Sequence, residues 1–501
     1  MYVDGKFGYL KWIEINKENQ MNTFQQKGSK NRMLSNEQIL QVQGSVINLM
    51  ENIGCKVGCE EALDILRDAG CDIRDMDRVR IPRKLVMEAL ESSPKEIEVF
   101  NRNGELAMML KEGNCYYGTG SDCNTTIDLE SGERRLCMKD DVARLARFCD
   151  ALENMNFVMS FGIANDVPRG SNFIHQYEAM LLNTTKPIIV TGYGRNDMLT
   201  MIEMLGAAIG GIDKIKSKPP LILYTEPVSP IFHTEMGMSK GLICCEYGIP
   251  FIYIGSPMMG GTSPATIEST LVQTVAESLA GLVIFQKKQP GAKFIFGGDA
   301  TVMDMKTSIF SYGSPELNIL NAGLADMAHF YRLPFFCIAG STDAMVLDAQ
   351  AGFEYALSIY NSTLNGCNII HDCGYLESGM TSSFESVLFS DEIIGLIKHM
   401  LQPLSFNDES VALQVIDNVG PGGNFIMEDH TYNNYMNTFY FPRSFNRKRF
   451  ETWEEEGSRD ICSILNERAK AIINDHKPQE LPEEVKQTIS AIVGKHRPDV
   501  N

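Results

Sequence analysis

The sequence predicts an α/β fold, a (β/α)8 barrel flanked by helical caps at both ends. Short β-branched or aromatic runs alternate with amphipathic stretches, and the alternation repeats eight times, one unit per roughly 25–45 residues. Length is the third observation. At 501 residues the chain exceeds an ordinary single domain and accommodates a barrel core of roughly 250–290 residues with additions at each end.

Taken in order, residues 1–33 are polar and weakly patterned and read as an N-terminal extension, with Met21 and Met33 leaving open a later start of the domain. Residues 34–114 read as a helical N-terminal cap. Ile39, Val42, Val46, Leu49 and Ile53, then Leu63, Ile65 and Leu66, recur at helical spacing, and Ser35 with Gln38 makes a capping-box pattern. The barrel is placed at 115–402, with strands at 115–118 (CYYG), 157–163, 188–191 (IIVT), 221–225 (LILYT), 251–254 (FIYI), 293–296 (KFIF), 335–339 (FFCIA) and 368–371 (NIIH). Amphipathic segments at 140–152, 175–182, 198–209, 235–246, 264–286, 315–331, 348–364 and 391–401 supply its helices. Residues 403–501 read as a C-terminal helical cap. A doubly wound sheet is the alternative for the same alternation.

Composition narrows the function. Hydrophobic residues at 44% and charged residues at 22% describe a globular chain. The net charge of −19 repels phosphate backbones and anionic lipid, so neither nucleic acid nor a membrane surface is an expected partner. No apolar run approaches the ~18–20 residues of a membrane span, and the first residues lack the apolar segment of a signal peptide, so the expected location is cytoplasmic. Thirteen cysteines, an odd number scattered along the chain, suit reduced thiols rather than a disulfide framework. Cys55 with Cys59, and Cys244 with Cys245, lack the usual zinc spacing, so no metal is assigned. No HExxH, CxxC, GxGxxG or P-loop pattern is present.

In a barrel, chemistry sits at the carboxyl ends of the strands. The residues found there are Ser121 and Asp122, Asn165 and Asp166, Tyr193, Glu226, Ser256, Asp299, Ser341 and Asp343, and His371 and Asp372. Turns and helix caps also explain glycine and aspartate after strands. Tyrosines gather near the same end: Tyr116, Tyr117, Tyr224, Tyr253, Tyr312 and Tyr375, with Asp122, Glu226, Asp299, Asp343 and Glu377 among them. Aromatic faces beside carboxylates attract a quaternary ammonium, at ~0.5–2 kcal/mol per good cation–π contact, although strand tyrosines also serve as packing. His371 ends the eighth run and is the candidate catalytic residue. Glu226 and Asp299 would be the acid and base of a barrel hydrolase, and a non-catalytic quaternary-amine binding protein would need only the aromatic lining.

Several stretches together resemble the trimethylamine methyltransferase family: YGTGSDCNTTID (117–128), TEPVSP (225–230), GGTSPAT (260–266), YGSPELNILNAGLADMAHFY (312–331), GSTDAMVLDAQAGFE (340–354), NIIHDCGYLESG (368–379) and EDHTYNNYMNTFYFPRSFNR (428–447). The resemblance runs from about residue 34 to 465. It implies a TIM barrel that passes a methyl group from a methylated amine to the cobalt of a cognate corrinoid protein, with no cofactor held by the chain itself. Founding members carry pyrrolysine, whereas here only standard residues such as Met345 occupy the matching 340–350 block. That departure resembles the branch acting on quaternary amines, for which glycine betaine, proline betaine, carnitine and γ-butyrobetaine are the implied substrates. A cognate corrinoid protein is the implied partner, and a homo-oligomer is expected from the outer helices of a barrel this size.

Overall fold

A computed structural model describes residues 32–74 and 77–499, so nearly all of the 1–33 extension lies outside the described residues. The eight β-rich runs become strands β1 (Tyr116–Gly118), β2 (Met155–Phe157), β3 (Ile188–Val190), β4 (Leu221–Thr225), β5 (Phe251–Tyr253), β6 (Phe294–Gly298), β7 (Phe335–Ile338) and β8 (Ile369–His371). All neighbours are parallel and follow chain order, from Ile188 opposite Leu221 round to Ile369 opposite Tyr116. Val158 closes the ring: its N–H donates to Pro187 O and its carbonyl accepts from the Ile189 N–H, both at 3.0 Å. The doubly wound alternative is therefore excluded.

Helices α1 (Lys139–Ala151), α2 (Asn172–Asn183), α3 (Arg195–Ile209), α4 (Glu235–Tyr247), α5 (Ile267–Lys288), α6 (Pro315–Tyr331), α7 (Ala349–Leu364) and α8 (Phe384–Met400) surround the strands. Their starts follow local chemistry. Ser314 caps α6 with Pro315 in its first turn, and the Asp348 carboxylate accepts from Gln350 N and Ala351 N at the start of α7. Ser383 caps α8, which begins earlier than the 391–401 segment suggested. α5 is long and apolar enough to cross a membrane, contrary to the expectation that no such run exists, but 78% of its apolar window is buried inside the protein. All thirteen cysteines are free thiols.

Period-two alternation divides the core into two layers. Inward side chains, including Phe157, Ile189, Ile222, Ile252, Ile295, Phe336 and Ile369, fill the barrel, while Leu221, Leu223, Phe251, Tyr253, Phe294 and Phe296 pack outward against the helices. The inner layer also contains Ile97, Val99, Met108 and Leu110 from an antiparallel hairpin, Ile97–Phe100 with Leu106–Leu110. This hairpin plugs the amino-terminal end of the barrel and leaves the carboxyl end for chemistry.

Residues 34–114, expected to be helical, hold the helices Asn36–Asn48, Glu60–Asp68 and Arg83–Ser92, but also that hairpin and the short strands Cys55–Val57, Asp72–Arg74 and Arg78–Arg80. The strands are three to five residues long, too short for periodicity to reveal. The capping box does form: Ser35 Oγ accepts from Gln38 N, and Ser35 N donates to the Gln38 side chain. Residues 403–499 carry six helices, of which Ile461–Asp475 packs on α8 and α1, and Glu483–Lys495 on α3 and α2.

Candidate active site

Side chains from four strand ends meet in one hydrogen-bonded chain. On β4, Tyr224 points into the barrel while Thr225 turns outward and donates to Gly237 O. The next residue, Glu226, returns over the mouth, where its Oε2 accepts from the Tyr224 hydroxyl at 2.9 Å and from Ser256 Oγ, beyond β5, at 2.8 Å. The same phenol lies 3.2 Å from Asp299 Oδ2, beyond β6. Asp299 Oδ1 in turn is 3.3 Å from Nε2 of His371, the last residue of β8. On the far side of the imidazole, Nδ1 is 2.8 Å from Asp372 Oδ1, at ion-pair distance but not aligned for a hydrogen bond. β7 contributes the floor. Phe336 stacks under His371 with ring centroids 4.2 Å apart, and Tyr224 stands 5.6 Å from Phe336.

The loop after β1 completes the mouth. A Cβ at Gly120 would fall 1.7 Å from Asp372 Oδ1 and 2.7 Å from the Tyr375 ring, so this position has no room for a side chain while Asp372 faces His371. Asp122 follows in the left-handed region, φ 71°, and accepts from Ser121 Oγ. Beyond β6, the phenol of Tyr312 feels the carboxylates of Asp372, Asp299 and Glu226, while its ring packs on Phe310 at 5.0 Å.

Burial lowers the basicity of His371, but the charges of Asp372 and Asp299 together outweigh it and push its pKa up to about 10, so it is an imidazolium at neutral pH. Glu226 and Asp122 open onto the mouth yet are surrounded by protein, so bulk water screens them poorly. Burial raises Glu226 above the ordinary carboxylate range, and Asp299 adds to the rise; Asp122 is raised by burial and by Asp372. A phenol has one proton to donate, so Tyr224 divides it between Glu226 and Asp299. Tyr224 and Tyr312 are themselves raised well above 10, mainly by burial, and remain neutral phenols.

The other expected site residues lie elsewhere. Tyr116 points into the lower barrel, where its hydroxyl accepts from Met109 N of the plugging hairpin. Tyr117 and Tyr253 face the helix layer: Tyr117 meets Thr363 Oγ1 at 2.9 Å, and Tyr253 meets His233 Nδ1 at 2.7 Å. Alternation along a strand permits nothing else once Tyr116 and Ile252 point inward. Asp343 accepts from Tyr312 N and Ser378 Oγ and so ties the loops after β6, β7 and β8 together. Tyr375 donates to Phe161 O behind the site, and Glu377 pairs with Arg134 at 2.7 Å on the outer loops. Asn165 and Asp166 serve the backbone, Asp166 accepting from Lys139 N at the start of α1.

Two residues of the site, Phe336 and Lys240, are absent from the sequence-based candidates, and two more, Ser256 and Asp372, have no role there. Ser256 and Asp372 stood among the strand ends, and Phe336 is marked by the alternation of β7. Lys240, buried on α4, carried no signal, because a lysine on a helix reads as a solvent-facing residue. Among the described residues, no three His, Cys, Asp or Glu side chains are grouped to hold a metal ion.

The sequence model of the trimethylamine methyltransferase family matches residues 12–500. A trimethylamine methyltransferase of Desulfitobacterium hafniense (strain DSM 10664 / DCB-2) is 32% identical over 466 residues, 92% of each chain. The chain belongs to the trimethylamine methyltransferase family. It is a methyltransferase, and the hydrolase and binding-protein alternatives fall away. A glycine betaine methyltransferase of D. hafniense (strain Y51) is 28% identical, over 94% of this chain and 98% of that one, and a trimethylamine methyltransferase of Methanosarcina barkeri is 27% identical, over 92% and 94%. Within the family this member lacks pyrrolysine: the standard residues run throughout, and Met345 is exposed on the loop after β7.

Proposed function

We propose that the protein transfers a methyl group from a quaternary amine of the betaine type to cobalt(I) of a partner corrinoid protein. The observation that carries this reading is the barrel mouth itself, where Tyr224 and Tyr312 offer neutral aromatic faces beside Glu226 and Asp299. Such a lining favours a cationic head group. A quaternary ammonium already carries the positive charge that makes a neutral tertiary amine its leaving group, so no covalent adduct is needed. The methyl carbon forms its bond to cobalt as the C–N bond breaks, and that electron pair stays on nitrogen.

The residues position more than they activate. Acids beside the head group help binding but oppose the loss of charge in the transition state, so uncompensated carboxylates would slow the step. Here the His371 imidazolium lies between Asp299 and Asp372, so the local negative charge is tempered. Holding the methyl in line for an external nucleophile supplies the rest. The partner corrinoid protein, a cytoplasmic setting and a homo-oligomer belong to the same reading; Leu404, Phe406, Ile426 and Met427 are largely exposed and give a second copy apolar surface to cover. Incubating the protein with each candidate betaine and a corrinoid protein reduced to cobalt(I) tests the proposal. Conversion of the cobalt(I) spectrum to that of methylcobalt supports it.

A further inference from the structure

Resting on that reading, we infer that Lys240 anchors the carboxylate of a zwitterionic substrate. The residue stands in the second turn of α4 and reaches to the loop after β3, where its ammonium donates to Gly192 O at 2.6 Å. It is only 8% exposed. An ammonium has three donors, and among the described residues this is its only hydrogen bond, with no carboxylate at ion-pair distance. Burial lowers the basicity of this ammonium, and Glu226, Asp197 and Asp122 oppose that from farther away; a Cβ at Gly237, one turn earlier on α4, would fall 2.5 Å from Glu226 O, which sets this part of the helix against the mouth.

A buried cation with idle donors is costly unless a partner arrives. The groups around it do not provide that partner. Asp197 is turned elsewhere: its Oδ2 accepts from Tyr193 N at 2.8 Å, and its Oδ1 lies 3.1 Å from His496 Nε2 without hydrogen-bond alignment. His371 has a carboxylate within 3.3 Å of each ring nitrogen, so its charge is already answered. A betaine supplies what is missing. With its trimethylammonium against Tyr224, Glu226 and Asp299, its carboxylate turns toward the β3 side, where Lys240 offers a charge-assisted hydrogen bond. The zwitterion then lies across the mouth as a dipole antiparallel to the Glu226–Lys240 pair.

The test compares glycine betaine with tetramethylammonium, which has the head group and no carboxylate, by calorimetric binding to the full chain without corrinoid protein. K240M removes the charge, K240Q removes the charge but keeps a donor for Gly192 O, and K240R keeps the charge. We expect glycine betaine affinity to fall by about tenfold or more in K240M and K240Q, tetramethylammonium affinity to stay within about twofold, and K240R to retain part of the preference. Equal weakening of both ligands, or unchanged glycine betaine affinity in K240Q, would show that Lys240 only holds the β3 loop and would overturn the inference. Wild-type protein that binds neither ammonium overturns the substrate reading itself, a result distinct from a wild type that binds glycine betaine and a K240Q that binds it equally well.

Discussion

His371 is the residue on which the site turns, because it links the Tyr224–Glu226–Asp299 chain to Asp372 and stacks on Phe336. Replacing it with alanine leaves two buried carboxylates without their cation, at a cost of about 3–5 kcal/mol in stability. It should also slow methyl transfer at least ~10-fold per folded molecule, about 1.4 kcal/mol of transition-state stabilisation. Single-turnover transfer and thermal unfolding on one preparation separate the two effects; a destabilised but fully active variant removes His371 from the catalytic set. Its titration gives a second expectation. The folded value is raised from 6.5 to about 10, so its ion pairs contribute their full stability below pH 6.5 and lose it as pH climbs through about 10. The difference in unfolding temperature between wild type and H371A should therefore shrink on the alkaline side. A difference that disappears between pH 6 and 7 would mean that the imidazole is neutral in the folded protein.

At the scale of the element, the strand alternation decides which tyrosines can touch a ligand. Tyr224 on β4 points inward, and Tyr253 on the neighbouring β5 points outward onto Phe285. Tyr224→Ala should weaken quaternary ammonium binding by ~1–2 kcal/mol. Tyr253→Ala should instead cost ~3–5 kcal/mol of stability, the price of truncating a large buried aromatic, with binding per folded molecule unchanged. Equilibrium binding and denaturant unfolding check both, and a Tyr253 variant that folds normally but loses the ligand would contradict the assignment. Side-chain direction is also the feature least legible in the sequence. The β runs are legible as strands, but which residue of CYYG or FIYI faces inward depends on a register set by neighbouring strands, and β1 carries an irregularity between Tyr117 and Gly118. Composition near a strand end therefore grouped Tyr117 and Tyr253 with Tyr224 although they face opposite layers.

Over the whole molecule, the alternation foretold a parallel sheet with both faces buried, and eight units favoured the closed barrel over the doubly wound sheet that the same alternation allows. Features made by distant segments were not legible: the hairpin at 97–110 that closes the bottom, and the partnership of Lys240 on α4 with the loop after β3. Glu226, Asp299 and His371 were legible because barrels place their chemistry at strand ends; their joining through one tyrosine hydroxyl was not, since it depends on three-dimensional closure. The site is read as one for methyl transfer from a quaternary amine to cobalt. The most direct measurement mixes the purified protein, glycine betaine and a corrinoid protein reduced to cobalt(I), and follows the cobalt spectrum together with dimethylglycine formation. Methylcobalt and dimethylglycine should form in equal amounts, dependent on the enzyme. A protein that binds glycine betaine yet yields neither product with any reduced corrinoid protein supplied would contradict that reading.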